Sequence, residues 1–547
     1  MNIIVGNAWP YTNGSLHIGR IAALLPGDVL ARYHRLMGDK VVFISGSDCH
    51  GTPVTMKAAE EGLSPQETVS KYHEELKECF KKFDFSYDYF SKTHSKYHME
   101  KVKEIILELY NKGYIYEKEV NQIICSGTEE ILLDNYIDEK CSHCEKSMQG
   151  LCKKCGQIYE IGDEICEKCE FCTGNLEIKR TKQLFFALSK LENDVKRLFI
   201  RESNWRKNAV EITKRYLDEG LKDRVLTRDF NWGIDVPFDG YTHKKIYVWI
   251  EAVMGYLSAS MEYLEKINED YRTYWEGEES KIYLVHEKEN IPFHTVILPG
   301  ILAGIGIKNP NIQIISSEKL RLEGKQFSIA KNWVVWAEYL VNNYNVDSIR
   351  YYLIMNGPEE NYGDFKWKEF INENNNTLVN IVGNFVNRVL LFIVNNFHGH
   401  IPKCKINKET ENKILQLYFR VGDKIEEGKF KDGLSIIINE IKIQNDLFNI
   451  NKPWVTINEN KKKCEEDIYV SLQYIVNFAN LIEPYMPETA KKIRKYLKID
   501  KSIWSYIEKK DGKIEKVELL FENINKDNIL KEVNKLRKNK KNPRTSV

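Results

Sequence analysis

The sequence predicts an α/β fold, in which a doubly wound parallel sheet is split by an inserted module and followed by an α-helical bundle. Three observations predict it. Short apolar runs alternate with longer amphipathic runs over residues 1–115, which is the rhythm of βαβ units. A cysteine-rich stretch interrupts this rhythm. From about residue 368 to residue 500 the apolar residues recur with helical periodicity, as they do in a helix bundle.

The elements of the sheet follow in order along the chain. We predict strands in "NIIVG" and "KVVFISG" and helices in "IAALLPGDVLARYHRLMG" and "SPQETVSKYHEELKECFKKF". Strand signals return in "KIYVWIEAV", "KIYLVH" and "IQIISS", with a helix predicted in "FHTVILPGILAGIG". The resulting domain boundaries are 1–115 and 226–320 for the two halves of the sheet domain, 116–225 for the insertion, 321–367 for a linking segment, 368–510 for the helical domain, and 511–547 for a C-terminal segment with a basic tail.

Length and charge narrow the class of protein. The chain has 547 residues, which is too long for a single hydrophobic core. Its formal net charge of +1 excludes a globally basic surface, so any RNA contact must come from local patches. No apolar run approaches the roughly 18 residues needed to cross a bilayer, and the start lacks the basic n-region of a signal peptide. We expect a cytoplasmic protein without a membrane segment.

The cysteines of the insertion predict a structural zinc site. The stretch "CKKCGQIYEIGDEICEKC" contains two C-x-x-C pairs, formed by Cys152 with Cys155 and Cys166 with Cys169. Two facing pairs supply four thiolates for tetrahedral Zn²⁺, and such a site has no open position for catalysis. Incidental cysteines are the alternative. A second site, left open because no fourth ligand has this spacing, would use Cys141, Cys144 and Cys172, with Cys125 nearby.

The stretch "NAWPYTNGSLHIGR", residues 7–20, follows the first predicted strand and opens the first helix. A His and a Gly at such a turn suit phosphate binding, because backbone N–H groups and the positive end of the helix face an anion. An ordinary turn built from Pro and Asn-Gly is the alternative. The turn by itself does not decide between the two.

Five segments together resemble the class I methionyl-tRNA synthetases. They are "AWPYTNGSLHIGR", "GSDCHGTPV", "TRDFNWGIDVP", "YVWIEAVMGY" and "NIPFHTVILPG". Their order, their spacing and the zinc-type insertion match that family over about residues 1–525. The resemblance implies a Rossmann-like nucleotide-binding domain, activation of an amino acid with ATP and Mg²⁺, and a helical anticodon-binding domain.

The two ATP signatures of the family are altered in this chain. "HIGR" resembles the HIGH signature, which implies ATP binding by His17 and Gly19, with Arg20 in place of the second histidine. The KMSKS signature corresponds to "QFSIA", residues 326–330, which keeps Ser328 but neither lysine. In "HEKEN", Glu287 replaces a glycine of the family. The resemblance and these changes predict His17, Arg20, Lys325 and Lys331 as catalytic residues, and Gly19, Lys288 and Ser328 as further ATP-binding residues.

The amino-acid and anticodon sites carry over residue by residue. Asp48 of "GSDCHG" matches the carboxylate that holds the substrate ammonium in the family, and Val253 stands where a proline is expected. The side-chain pocket is implied to consist of Tyr11, Trp249, Ala252, Tyr256 and His294. The anticodon contacts are implied to be Asn384 and Arg388 of "GNFVNR" and Trp454 of "NKPW", of which Trp454 would stack on a base.

The resemblance predicts ATP-dependent ligation of methionine to its tRNA through a methionyl-adenylate. Two alternatives stay open because both signatures are altered. One is a diverged paralogue that adenylates an amino acid for another acceptor, and the other is a non-catalytic RNA-binding protein on a synthetase scaffold. The expected partners are methionine, ATP and tRNA(Met). We expect a monomer, because the chain ends without an appended tRNA-binding barrel.

Overall fold

The computed structural model describes residues 1–125, 139–140, 147–148, 175–201 and 205–541. The chain divides into two compact units that do not follow the order of the sequence. Unit 1 contains Met1–Ser15, Val42–Glu78 and Tyr87–Ser317, and unit 2 contains Leu16–Val41, Cys79–Ser86 and Glu318–Val547. The domain boundaries derived from the sequence stay a prediction.

Fifteen strands and twenty α-helices are found among the described residues. The strands are β1 (Asn2–Asn7), β2 (Lys40–Ser47), β3 (Tyr89–Lys92), β4 (Ile115–Cys125), β5 (Glu139–Lys140), β6 (Ser147–Met148), β7 (Leu176–Phe186), β8 (Arg224–Val225), β9 (Thr227–Arg228), β10 (Lys245–Ile246), β11 (Ser280–Glu287), β12 (Ile312–Ser317), β13 (Leu320–Leu322), β14 (Lys325–Gln326) and β15 (Gly363–Phe365).

The helices are α1 (Ile18–Met37), α2 (Thr52–Glu61), α3 (Pro65–Lys82), α4 (Lys96–Asn111), α5 (Glu192–Arg201), α6 (Lys207–Asp218), α7 (Val248–Val253), α8 (Gly255–Lys266), α9 (Arg272–Trp275), α10 (Leu298–Ile305), α11 (Ala337–Asn343), α12 (Val346–Met355), α13 (Trp367–Glu373), α14 (Asn384–Asn396), α15 (Lys408–Glu426), α16 (Phe430–Asn451), α17 (Pro453–Glu459), α18 (Lys461–Leu481), α19 (Pro487–Leu497) and α20 (Asp527–Lys541). Two 3₁₀ segments, Leu188–Leu191 and Lys288–Asn290, and two π segments, Phe293–Ile297 and Asn374–Gly383, complete them.

The sheet of unit 1 confirms the predicted doubly wound architecture. Its strand order is β12-β11-β1-β2-β3, and the β1–β11, β11–β12 and β2–β3 pairs are parallel. Strands β1, β2, β11 and β12 are largely buried, as in Ile3–Val5 of β1, because a doubly wound sheet is covered on both faces. Strand β3 at the sheet edge is only partly buried. The chain order reverses at β1, and sheets of this type bind ligands at the carboxyl ends of the strands beside such a reversal.

One predicted strand is wrong. Most of "KIYVWIEAV" is helical, since only Lys245–Ile246 forms a strand and Val248–Val253 forms helix α7. The β-branched residues favoured a strand, but a short apolar run cannot be assigned from periodicity alone. Val248 and Glu251, three residues apart, are both buried, which is the spacing of one face of a helix. The other predicted strands and helices of the sheet domain are present.

The inserted module is described only in part. Its strands β4 and β7 pair antiparallel over eleven residues, from Ile115 opposite Phe186 to Cys125 opposite Leu176. The predicted zinc ligands Cys152, Cys155, Cys166 and Cys169, and the second set Cys141, Cys144 and Cys172, lie outside the described residues. Among the residues that are described, no group of three or more His, Cys, Asp or Glu side chains is arranged to hold a metal ion.

Unit 2 contains the predicted helical bundle. One continuous helical run of its described residues, Trp367–Asn396, is long and apolar enough by length and composition to cross a membrane. We did not expect this run from the sequence, because asparagines interrupt its apolar residues. Phe385, Val389 and Ile393 of this run are buried in the protein, so one side of the run packs within the bundle.

A buried ion cluster connects helices α1 and α12 within unit 2. Arg350 is fully buried, and its guanidinium donates to Asp28 Oδ2 at 2.6 Å and to the carbonyl oxygens of Tyr485 and Pro484 at 2.9 and 3.1 Å. Asp28 also accepts from Arg32 Nε at 2.8 Å. Burial alone would raise the pKa of Asp28, but the charges of Arg32 and Arg350 hold it well below its usual range. The cluster therefore stays ionised.

Candidate active site

Acidic and aromatic side chains cluster where β1 and β2 end in unit 1. The backbones beyond the two strands continue side by side, since Thr12 N donates to Asp48 O at 2.9 Å and Asp48 N to Pro10 O at 2.8 Å. Trp249 Nε1 donates to the Tyr11 hydroxyl at 2.7 Å. The structure thus brings together three of the predicted amino-acid-binding residues, Tyr11, Asp48 and Trp249.

The carboxyl group of Asp48 lacks the solvent that would stabilise its charge. Asp48 is 3% exposed. Burial and the nearby Glu251 raise the pKa of Asp48 well above its usual range, against the lowering effect of a backbone N–H donated by His50. Because an adjacent cation favours the ionised carboxylate, this pocket is suited to an ammonium group.

A second pair of predicted residues, Tyr256 and His294, forms the neighbouring wall in unit 1. His294 Nδ1 donates to the Asn290 carbonyl at 2.7 Å, so its Nε2 accepts from the Tyr256 hydroxyl at 2.7 Å. Burial lowers the pKa of His294 to about 4, which keeps the ring neutral near pH 7. Trp249 packs edge-on against Phe293 at 5.2 Å between ring centroids. Neutral aromatic walls of this kind suit a thioether.

The remaining predicted residues of unit 1 occupy flanking positions. Ala252 is partly exposed on α7, three residues after Trp249, and Val253 is buried beside it. Lys288 begins the 3₁₀ segment that follows β11. Nothing in the structure explains the valine at position 253.

Sequence reasoning missed a hydrogen-bonded group behind Asp48. His50 Nδ1 lies 2.5 Å from Glu251 Oε1, and His50 Nε2 lies 2.9 Å from His94 Nδ1. His94 stacks on Trp232 at 4.5 Å. His50 lies in the motif that contains Asp48, and Glu251 lies in the motif that contains Trp249. Their positions in these two motifs were the one sign in the sequence that they belong to the site. Their contact across 201 residues has no signature in the sequence.

The turn that opens helix α1 belongs to unit 2. His17 is the N-cap of α1, and its Nδ1 accepts from Gly19 N at 3.1 Å. Its Nε2 therefore carries the ring proton. Burial and the charge of Arg20 lower the pKa of His17 to about 3, so it is a neutral N–H donor. A Cβ at Gly19 would lie 2.9 Å from His17 Nδ1, so this position requires glycine.

The altered second signature forms a short closed hairpin in unit 2. Ser328 and Trp333 exchange backbone hydrogen bonds of 3.1 and 2.9 Å, and Ser328 Oγ accepts from Lys331 N at 3.3 Å. Lys325 Nζ lies 5.2 Å from the centre of a Trp333 ring. Phe327 stacks on His17 with 5.0 Å between ring centroids. The hairpin and the α1 turn, which contain the predicted catalytic residues His17, Arg20, Lys325 and Lys331, are thus in contact within one unit.

The predicted anticodon residues partly converge in the helical bundle. Arg388 stacks over Phe448 at 4.7 Å and over Trp454 at 5.7 Å, and its Nη1 donates to Asn449 Oδ1 at 2.8 Å. Trp454 is 48% exposed, which leaves an aromatic face for a base. Asn384 begins α14 one turn before Arg388.

Comparison with known proteins identifies the class and then the family. Residues 3–390 match the family model described as "tRNA synthetases class I (M)", and residues 423–531 match the "Anticodon binding domain of methionyl tRNA ligase". The chain therefore belongs to the methionyl-tRNA synthetase family of class I, as the sequence motifs predicted.

Similar proteins span the whole chain. "Methionine--tRNA ligase 1" of Alkaliphilus oremlandii (strain OhILAs) is 44% identical over 539 residues, which are 98% of this chain and 100% of that protein. "Methionine--tRNA ligase" of Bacillus mycoides (strain KBAB4) is 42% identical over 540 residues, covering 98% and 99%. The fold is also that of Mycobacterium tuberculosis methionyl-tRNA synthetase bound by methionyl-adenylate, with a TM-score of 0.78, 20% identity, and coverage of 95% of this chain and 100% of that one.

Proposed function

We propose that this chain ligates methionine to its tRNA in two steps. ATP and methionine give methionyl-adenylate and pyrophosphate. A ribose hydroxyl at the 3′ end of the tRNA then attacks the acyl carbon, which breaks the acyl–phosphate bond and releases AMP. The observation that supports this most is the buried Asp48 pocket with its aromatic wall, in a chain that is 44% identical to a methionine–tRNA ligase over nearly its full length. Catalysis consists of positioning and charge stabilisation.

The amino-acid site is assigned to unit 1. Asp48 holds the ammonium of methionine, and the hydrogen-bonded Tyr11 and Trp249 orient it. Ala252, Tyr256 and His294 contribute to the side-chain pocket. Tyr256 donates to the one unprotonated nitrogen of His294. Because the two side chains satisfy each other, an apolar substrate side chain can lie against them without leaving a strong donor or acceptor unpaired.

The triphosphate contacts are assigned to the α1 turn and the hairpin of unit 2. His17 Nε2–H is a neutral donor, and Gly19 permits close approach of a phosphate. Arg20 together with Lys325 and Lys331 replaces the charge of the two missing signature lysines, and Ser328 supplies a hydroxyl. Lys288 is a further proposed ATP-binding residue. Mg²⁺ enters with ATP, which supplies most of its ligands.

Recognition of tRNA is assigned to the helical bundle. The half-exposed Trp454 offers a stacking surface, and the Arg388 guanidinium, held by Asn449, is oriented for a base edge. Asn384 supplies an amide one turn away. Single-stranded bases are read by this combination of stacking and hydrogen bonding. The proposal includes a zinc ion held by Cys152, Cys155, Cys166 and Cys169, a cytoplasmic location and a monomeric state.

A second candidate function rests on the altered hairpin. Gln326 and Ile329 replace both signature lysines, and Ile329 is 62% exposed. A diverged synthetase that adenylates an amino acid for another acceptor, or one that binds RNA without catalysis, would tolerate this change. The full-length match to methionine–tRNA ligases favours the first function.

The test is amino-acid-dependent exchange of pyrophosphate into ATP with each of the twenty amino acids. We expect methionine to support exchange and Asp48→Ala to reduce it more than a hundredfold, because removing one partner of a buried ion pair costs about 3–5 kcal/mol. Asp270→Ala, an exposed aspartate of unit 1, is the control and should exchange normally. Exchange that prefers another amino acid favours the paralogue, and no exchange with any amino acid favours the RNA-binding protein.

A further inference from the structure

The group behind Asp48 forms a continuous chain of hydrogen bonds. It runs from His94 Nδ1 to His50 Nε2 over 2.9 Å, and from His50 Nδ1 to Glu251 Oε1 over 2.5 Å. Glu251 is 0% exposed and His50 is 1% exposed, whereas His94 is only partly buried. The series of hydrogen bonds therefore leads from the more accessible imidazole of His94 to the fully buried carboxyl group of Glu251, next to the proposed amino-acid site.

This series of hydrogen bonds can form in two protonation states that differ by one proton. With Glu251 ionised, His50 Nδ1–H donates to Glu251, and His94 Nδ1–H donates to His50 Nε2. With Glu251 protonated, its O–H donates to His50 Nδ1, and His50 Nε2–H donates to His94 Nδ1. Each hydrogen bond is retained in both states, since a neutral imidazole has one donor and one acceptor nitrogen. The same two distances therefore fit either direction of donation along the hydrogen bonds.

The charges around Asp48 and Glu251 decide which state the empty pocket adopts. Two buried carboxylates close together cannot both ionise easily, and burial raises the pKa of Glu251 as well as that of Asp48. Burial lowers the pKa of His94 to about 4, so near pH 7 that ring stores no extra proton. The other groups facing this cluster are Tyr11, Tyr247, His98, Lys92 and the backbone N–H of Ile234.

We propose that His94, His50 and Glu251 form a proton relay. The Asp48–Glu251 pair holds one proton when the pocket is empty, and this proton leaves through the relay when an ammonium group binds. The inference rests on the proposed function, because it takes methionine as the ligand. The proposal makes the three residues positioning residues, since it assigns them to the charge of the site and gives them no contact with the substrate.

The release step moves one proton and breaks no other bond. Ammonium binding favours the ionised Asp48 and Glu251. The proton on Glu251 passes to His50 Nδ1, the proton on His50 Nε2 passes to His94 Nδ1, and the proton on His94 Nε2 leaves to water. In this proposal the bound ammonium lies against Asp48, so the proton leaves through Glu251, His50 and His94 instead. Methionine affinity should therefore rise with pH.

The experiment is calorimetric titration of the full chain with methionine in buffers of different ionisation enthalpy, at pH 6, 7 and 8. We expect release of about half to one proton per methionine in at least one of these conditions, as linkage requires. Glu251→Gln retains the size of the side chain and the acceptor for His50, yet should release fewer protons than the wild type, because only Asp48 then remains to hold one. Glu265→Gln, an exposed glutamate of α8, is the matched control and should behave as the wild type.

A kinetic measurement tests the outer end of the relay. His94→Phe preserves the stack on Trp232 but ends the chain at His50. Proton release to a pH indicator after mixing with methionine should slow about tenfold or more in stopped flow, while the number of protons released at equilibrium stays the same. An unchanged rate would overturn the role of His94.

Three results would overturn the remaining claims. Methionine binding without proton release in the wild type contradicts the relay but leaves the proposed function intact. Equal proton release by the wild type and Glu251→Gln removes Glu251 from the mechanism. Absence of methionine binding at every pH overturns the proposed function and the relay together.

Discussion

The first turn of helix α1 shows how one substituted residue changes the charge of a site. His17 is neutral in this structure, because burial and the adjacent Arg20 lower its pKa to about 3. The family histidine at position 20 would be mostly uncharged near pH 7, whereas an arginine carries a permanent charge and a planar fork that fits phosphate. The added charge lies at the positive end of a helix, where anions already bind favourably.

We expect Arg20→Ala to lower the rate of adenylate formation by about 10²-fold or more, because it removes one charged donor from the transition state. Pre-steady-state adenylate formation measures this rate, and methionine affinity should change little. Arg20→His restores the residue of the family but should still be slow, since a neutral imidazole does not supply the missing charge. A wild-type rate in Arg20→Ala would mean that Arg20 has no role in the reaction.

At the scale of elements, the ion cluster of unit 2 holds α1 against α12. Asp28 lies near the middle of α1, and Arg350 comes from α12. Asp28 Oδ1 also accepts from the Ser86 N–H and hydroxyl, both at 2.7 Å, so every oxygen of this buried carboxylate is satisfied. Helix α1 ends at Gly38, whose φ of 86° lies in the left-handed region where glycine is strongly favoured.

Replacing Arg350 should be among the more destabilising changes in unit 2. We expect Arg350→Met to lower the free energy of unfolding by about 3–5 kcal/mol, because it leaves the Asp28 charge buried with fewer partners. Denaturant unfolding followed by circular dichroism provides the measurement. Arg272→Met breaks an exposed ion pair with Glu276 and should cost at most about 1 kcal/mol. Similar effects of the two substitutions would contradict a stabilising role for the cluster.

At the scale of the whole molecule, the insertion is the part whose folding we expect to depend on a metal. Purified protein should contain at least one zinc per chain, since two C-x-x-C pairs supply four thiolates. Elemental analysis of the wild type and of Cys152→Ser combined with Cys166→Ser measures this content. The double variant should lose zinc, while Cys404→Ser, a free cysteine outside the insertion, should retain it. Protein purified without chelator and found free of zinc would refute the site.

Much of the fold and the site could be predicted, because their signals are local in the chain. Strands β1, β2, β11 and β12 contain short apolar runs, which is the pattern of strands buried on both faces. Strand β3 has no such run and was not predicted. The turn at His17 is contained in four consecutive residues, and its cap uses an atom only two residues from its partner. Asp48 and Trp249 were predicted because each lies within a short motif of the family.

Only the tertiary structure decided the features that depend on distant residues. Helix α7 forms where the local preference of its β-branched residues favoured a strand. Val248, Ile250 and Val253 are all buried in it, so tertiary packing outweighs that preference. Residues 16–41 pack into unit 2 with the C-terminal part of the chain, although a strand of unit 1 precedes them. His50 meets Glu251 across 201 residues. Such contacts arise from packing between elements, and neither residue carries information in the sequence about its partner.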